Sequence, residues 1–184
     1  MRRVVWFSCG AASAVAAKLT LEQHKEDVEV VYCDLLVDEH PDHSRFFADV
    51  EQWIGQPIIK IKSKKYASID NVYMETRWMS GVQGARCSVT QKKVPRFDYQ
   101  RPDDIHIFGL TADEPGRIAR FEQNNHDLSL EWPLQTENMT KAKCLAYIAR
   151  AGIELGTMYK LGYRNSNCSI TSSDSMSDTS RLVL

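Results

Sequence analysis

Six consecutive small or polar residues, Ser8-Cys9-Gly10-Ala11-Ala12-Ser13, are the stretch of this sequence best suited to hold an anion. They follow a short apolar run, Val4-Val5-Trp6-Phe7, and lead into an alanine-rich segment. Small side chains at a strand-to-helix turn, Gly10 above all, let backbone N–H groups approach a phosphate-sized group closely. The amino terminus of the following helix adds partial positive charge. The same composition also suits any tight turn between a strand and a helix, so spacing alone leaves both readings open. Neither the glycine spacing of a dinucleotide fingerprint nor the Lys-Ser/Thr pair of a Walker loop is present.

Cations that would complement such a site come later in the chain: Arg86, Lys92, Lys93 and Arg96 in one cluster, then Arg117 and Arg120. Arginine forks suit phosphate and sulfate oxygens in two-point contact, and lysines supply point charge. The alternative is a solvated charged face, which is the reading taken for Lys60, Lys62, Lys64 and Lys65. Asp34 closes one apolar run, while Asp113 and Glu114 follow another. The latter pair could bind a ligand or a metal, or simply cap the helix that follows. His40, beside Pro41, is either a group titrating near neutrality or a structural residue. Five widely spaced cysteines, Cys9, Cys33, Cys87, Cys144 and Cys168, are an odd number and suggest buried residues, metal ligands or reactive thiols rather than a disulfide framework. Cys33 reads as core and Cys144 as either the buried face of a helix or a ligand. Cys9, at a helix amino terminus, is either a thiolate of lowered pKa or a small residue setting backbone geometry.

The elements that must position these groups follow from hydrophobic periodicity. Apolar runs at 4–8, 28–33, 58–61, 105–110 and 128–132 predict five strands. Helices are expected at 11–21, at 41–54 closed by Gly55, at 66–79, at 116–124, and at 141–151 with Thr140 as its cap. The Gly-, Lys-, Arg- and Pro-rich segment 80–102 reads as a long functional loop. Strands that are apolar almost throughout and alternate with helices imply a three-layer α/β/α sandwich around a mainly parallel sheet. In such a sheet, ligands sit beyond the carboxyl ends of the strands where the strand order reverses. Residues 1–168 form one α/β domain in this reading. Residues 169–184 begin with a stretch that is half serine up to Ser180, and they form a tail too polar to order itself.

With 184 residues, 43% apolar and 26% charged, the composition is that of one globular domain. A net charge of −1 excludes binding nucleic acid through bulk charge, though not through a local basic groove. No apolar run approaches a membrane span, and residues 4–8 are too short for a signal peptide, so the expected location is the cytoplasm.

The segment from Trp6 through Ala16 resembles the pyrophosphate-loop (PP-loop) motif of the adenine nucleotide α-hydrolase superfamily, in the version found in phosphoadenosine phosphosulfate (PAPS) reductase-like proteins. Further blocks continue the resemblance in the family's order: Tyr32-Cys33-Asp34, Glu39-His40-Pro41-Asp42, Gly84-Ala85-Arg86-Cys87-Ser88 with Lys92-Lys93-Val94-Pro95, Gly109-Leu110-Thr111-Ala112-Asp113-Glu114 with Arg117, and Leu161 through Cys168. The resemblance implies that Ser8, Gly10 and Ser13, with the amides of Cys9, Ala11 and Ala12, cradle the phosphates of PAPS, adenosine phosphosulfate (APS) or ATP. It places Asp34 near the sugar or base, and gives Arg86, Lys92, Lys93, Asp113, Glu114 and Arg117 contacts to the nucleotide. One departure matters. The ATP-cleaving branch carries an aspartate before the last serine of the loop, able to hold magnesium, and this chain has Ala12 there. That favours sulfonucleotide reduction or sulfur transfer, with a thiol electron donor or a sulfur acceptor as partner. Relatives also carry cysteines where this chain has Cys87, Cys144 and Cys168, with a fourth where it has Thr171, so zinc or an iron–sulfur cluster is implied on three thiolates. Cys168 is the positional stand-in for the family's nucleophile. The alternatives are an ATP pyrophosphatase that adenylates a base or a nucleic acid, and a nucleotide-binding remnant without catalysis.

Overall fold

The computed structural model describes residues 1–36, 38–78, 80–81, 84–163 and 165. The expected tail, together with Cys168, lies outside these residues. In chain order the elements are β1 (Arg3–Phe7), α1 (Ala11–His24), β2 (Val28–Cys33), α2 (Asp42–Ile54), β3 (Ile59–Ile61), α3 (Ile69–Thr76), β4 (Ser80–Gly81) and β5 (Gly84–Ala85). Next come α4 (Arg86–Ser88), a π-helical turn (Val89–Lys93), α5 (Val94–Tyr99), β6 (Ile105–Phe108), α6 (Pro115–Asn124), β7 (Ser129–Glu131), α7 (Pro133–Thr136), α8 (Lys141–Arg150) and α9 (Thr157–Lys160).

Five strands form one sheet in the order β3-β2-β1-β6-β7, and every pair in it is parallel. Alternation along each strand sends side chains to two separate cores. Val5, Phe7, Val30, Tyr32 and Ile107 pack under α1, α2, α7 and α8. Val4, Trp6, Val31 and Phe108 face the other way, onto Ile118 and Phe121 of α6 and Tyr99 of α5. A sheet buried on both faces is why its strands read as continuous apolar runs. The α/β/α sandwich is therefore present, with a wholly parallel main sheet.

Helix α1 is buried on nearly every side, from Ala11 through Ala17 and again at Thr20. Its alanines let it lie close to the sheet while keeping strong helix propensity. Helix α2 ends where Gly55 takes φ +78°, and the Gly55 amide bonds back to the Glu51 carbonyl. Thr140 caps α8 by accepting from the Lys143 amide at 3.3 Å.

Segment 80–102 departs from the expectation of a loop, since most of it is helical. Lysine, arginine and glutamine are good helix formers, and Pro95 falls in the first turn of α5, where a missing N–H costs nothing. Just before it, the Val94 amide bonds to the Val89 carbonyl five residues back, the register of a π turn. Such turns are frequent at functional sites.

Candidate functional site

Strands β2 and β3 continue the sheet on one side of β1, and β6 and β7 continue it on the other. The strand order therefore reverses between β1 and β6, and residues 8–13 emerge from the carboxyl end of β1 at that point. This is where an open parallel sheet leaves room for a ligand. Ser13 ties the turn together: its Oγ accepts from the Ser8 amide at 3.1 Å, lies 3.1 Å from Ser8 Oγ and donates to the Gly10 carbonyl at 2.9 Å. The Ala11 amide donates to the Tyr159 hydroxyl at 3.1 Å. The amides of Gly10, Ala12 and Ser13 find no acceptor among the described residues. They are the donors left for an anion at the amino terminus of α1.

The left-handed residue of the turn is Cys9, with φ 55°, whereas Gly10 is extended at φ −117°. Close backbone approach is set elsewhere, by Gly109 at the end of β6. A Cβ on Gly109 would lie 2.6 Å from the Ser13 nitrogen and 2.7 Å from its Cα, so only glycine lets α1 settle against this strand end. Gly109 opens the block Gly109-Leu110-Thr111-Ala112-Asp113-Glu114, and no neighbouring residue marks its contact with Ser13.

Cys9 is wholly buried, and its Sγ points to the His43 carbonyl at 3.5 Å. Burial pushes its thiol far up, reinforced by the nearby Glu39 and Asp42 carboxylates, which favours the small residue setting backbone geometry over the thiolate. Native protein at pH 8 is expected to alkylate at Cys9 at least 100-fold more slowly than urea-unfolded protein, read by peptide mass spectrometry. Equal rates would mean that the loop opens freely.

A pocket opens at the same sheet edge. Its walls include Trp6, Phe7, Ser8, Tyr32, Phe108, Gly109 and Phe121, with Lys92, Lys93 and Arg96 from the π turn and α5. The rings of Phe108 and Phe121 lie 4.6 Å apart, centre to centre. Neither Lys92 nor Lys93 forms an ion pair with a described carboxylate. Aromatic faces beside unpaired cations suit a flat heterocycle carrying anionic groups.

Other expected site residues stand outside these walls. Asp34 caps the end of β2, accepting from the Leu36 amide at 3.2 Å and pairing with Lys62 at 3.0 Å. Arg86 is exposed at the start of α4. Arg117 pairs with Glu114 at 2.6 Å, and the other Glu114 oxygen accepts from the amide and hydroxyl of Thr111. These bonds hold Glu114 ionised, against the opposing effect of burial. Asp113 accepts from the Lys141 amide in the first turn of α8 at 3.1 Å. Cys144 and Cys87 fall in separate hydrophobic clusters. Cys144 lies in the core under α1, and its thiol is raised by burial to about 11, whereas Cys87 packs with Ile69 and meets the Tyr73 hydroxyl at 3.4 Å. The third cysteine of the expected metal set, Cys168, lies outside the described residues.

One buried polar cluster escaped the sequence reading. Glu39 accepts from the Tyr32 hydroxyl at 2.6 Å and bonds His43 Nδ1 at 2.8 Å, with Cys9 alongside. Sulfur, oxygen and nitrogen donors here lie within 4.8 Å of one another. Glu39 and the His43 ring bond each other while Cys9 donates to the His43 carbonyl, so each group has a protein partner without an ion. His40, which the sequence singled out, instead accepts from the Asp42 amide at 3.2 Å. The four-residue spacing of Glu39 and His43 was the available signal.

Comparison with known proteins begins with two blanks: no protein-family model matches the chain, and no curated protein does. Solved structures do match. The fold is similar to that of PAPS reductase from Candida auris, solved as a phosphate complex, with a TM-score of 0.66 at 13% identity over 93% of this chain and 83% of that one. It is also similar to the U34-tRNA thiolase of Methanococcus maripaludis, solved with its 4Fe–4S cluster, with a TM-score of 0.54 at 14% identity over 84% of this chain. This chain spans 57% of the thiolase. At these identities the likeness establishes the fold shared by PAPS reductase and PP-loop enzymes, and no helix among the described residues is long and apolar enough to cross a membrane.

Proposed function

We propose that this chain is a PAPS reductase-like member of the PP-loop superfamily that binds an adenine nucleotide at the carboxyl edge of β1 and β6 and acts in sulfonucleotide reduction or sulfur transfer. The observation that carries it is the turn of residues 8–13, set at the reversal of strand order and held against Gly109, with amides at Gly10, Ala12 and Ser13 that have no acceptor among the described residues. In this reading those amides bind phosphate oxygens, Lys92 and Lys93 offset their charge, and the aromatic walls take the base. Ala12 offers no oxygen to a pyrophosphate-bound magnesium ion, which favours a sulfonucleotide over ATP cleavage. The PAPS reductase likeness supports the same substrate class, and Cys168, on its position in the sequence alone, is the proposed thiol nucleophile.

Trp6 lies in the pocket wall, so its fluorescence is a probe of occupancy. Titration with APS, PAPS and ATP is expected to give saturable quenching by the sulfonucleotides in the micromolar range, with ATP weaker. Absence of any response to 1 mM nucleotide, checked by calorimetry, would overturn the reading.

A further inference from the structure

One stretch of the chain is charged unlike the rest. Residues 60–101 carry ten lysines and arginines against three acids, in a chain whose net charge is −1, so the remainder is acidic. The fold gathers this stretch into one region. Lys64, after β3, pairs with Asp98 of α5 at 2.9 Å, Lys65 pairs with Glu75 of α3 at 2.7 Å, and Tyr73 of α3 meets Cys87 of α4 at 3.4 Å. The cations are open to water: the Lys64 and Lys65 side chains are 84% and 66% exposed, and Arg77, Arg86 and Arg101 are exposed as well. Ion pairs this open contribute little and exchange readily for another anion. The same region holds five of the seven large hydrophobic side chains that are exposed among the described residues, including both aromatic ones, Trp78 and Phe97. Scattered apolar side chains on a surface are ordinary, but their concentration on the basic region marks a binding face. Phe97 is backed by the Arg96 guanidinium, 4.9 Å from its ring centre.

We propose that this surface, formed by the β3–α3 link, α3, α4 and α5, binds a single-stranded nucleic acid, its phosphates paired to the exposed cations and its bases stacked on Trp78 and Phe97. Unpaired bases offer a flat face to an exposed ring, whereas a duplex hides them. An acidic protein would use the cations and leave the rings idle. An anionic membrane surface would be repelled by Glu75 and Asp98, which stand among the cations. The proposal is independent of the nucleotide reading above, since neither ring and none of the exposed cations lines the pocket.

Fluorescence anisotropy on the full chain tests it, with end-labelled oligo(dT) and oligo(U) of about twenty nucleotides. Wild type is expected to bind at least one of them in the micromolar range at low salt. Affinity should fall roughly ten- to fiftyfold between about 50 and 200 mM salt, as release of counterions from a few phosphates requires. Trp78→Ala and Phe97→Ala are each expected to lose about five- to a hundredfold, whereas Trp78→Phe, which keeps a ring, should stay within about threefold of wild type. Replacing Lys64 and Lys65 together by glutamine should lower the salt slope by about 1 to 1.5. These side chains are exposed, and circular dichroism confirms that each variant folds. A duplex of the same length, despite its denser charge, is expected to bind at least about tenfold more weakly. Absence of strand binding at low salt overturns the proposal. So does duplex binding as tight as that of the single strand with both alanine variants unaffected, which would be general attraction to a polyanion. Phosphatidylserine vesicles or polyglutamate bound as tightly as the strand would move the surface to a membrane or an acidic protein and overturn it too. Displacement of the strand by adenosine 3′,5′-bisphosphate would put the strand in the pocket and contradict the assignment, whereas strand binding in a chain that takes up no nucleotide leaves it standing.

Discussion

Replacing Gly109 with alanine is expected to weaken nucleotide binding at least 100-fold and to lower the melting temperature by about 5 °C or more. The added Cβ would meet the Ser13 nitrogen at 2.6 Å, its Cα at 2.7 Å and its Cβ at 2.9 Å, and two of these atoms belong to the backbone of the first turn of α1. No flexible side chain can move aside. Relief requires α1 to lift from β6, which drags Ser13 away from the Ser8 amide and the Gly10 carbonyl that it holds. Forcing one methyl into a packed contact costs roughly 1–3 kcal/mol, and in a chain of this size each kcal/mol is worth about 2–4 °C. Binding suffers more than stability because the displaced atoms are the loop itself. Gly116→Ala is the control, since a Cβ there meets nothing within 4 Å. Differential scanning calorimetry and nucleotide titration of both variants check the prediction, and near wild-type binding by Gly109→Ala would mean that the turn is not gripped by β6.

The second large effect is expected from Ala12→Asp. Ala12 lies in the first turn of α1, 7% exposed, with an amide that has no acceptor among the described residues. A carboxylate there would stand beside the bound phosphate or sulfate rather than reach water. Two like charges about 4 Å apart at an effective dielectric near 20 repel by roughly 4 kcal/mol before relaxation and screening. PAPS affinity should therefore fall by about 100-fold. ATP with magnesium should respond the other way if the loop is a pyrophosphatase loop lacking only its hard ligand, because the cation would sit between carboxylate and phosphates. Paired titrations of the variant, with circular dichroism to confirm folding, read the difference. A gain for magnesium-ATP that exceeds the loss for PAPS would move the assignment to the ATP-cleaving branch.

What the sequence made legible was whatever depends on local pattern. The β-branched run of β2, the stop of α2 at Gly55 and the cap of α8 at Thr140 all follow from neighbouring residues and stand where expected. The turn at residues 8–13 was readable because strand, small residues and helix adjoin one another. Segment 86–99 was not, because Gly, Pro and clustered charge were weighed as loop signals while the helix propensity of Lys, Arg and Gln was passed over. Contacts between distant residues were illegible for a different reason. Nothing local marks Gly109 as the seat of Ser13, or joins Cys9 to Glu39 and His43. Arg96 stood among the cations suited to an anion, but nothing local marks its burial against Phe108. Asp34 and Arg117, conversely, were drawn toward the ligand by resemblance, and the structure gives them protein partners.

The central claim, that an adenine nucleotide sits on the turn after β1, is tested most directly by amide chemical shifts of isotope-labelled protein titrated with adenosine 3′,5′-bisphosphate. The expected result is saturable movement centred on the amides of Gly10, Ala12, Ser13 and Gly109, while those of Gly55 and Gly152, at the ends of α2 and α8, stay fixed. Saturable binding that leaves the residue 8–13 amides unmoved would contradict the account, because the ligand would then lie away from the strand reversal on which the assignment stands.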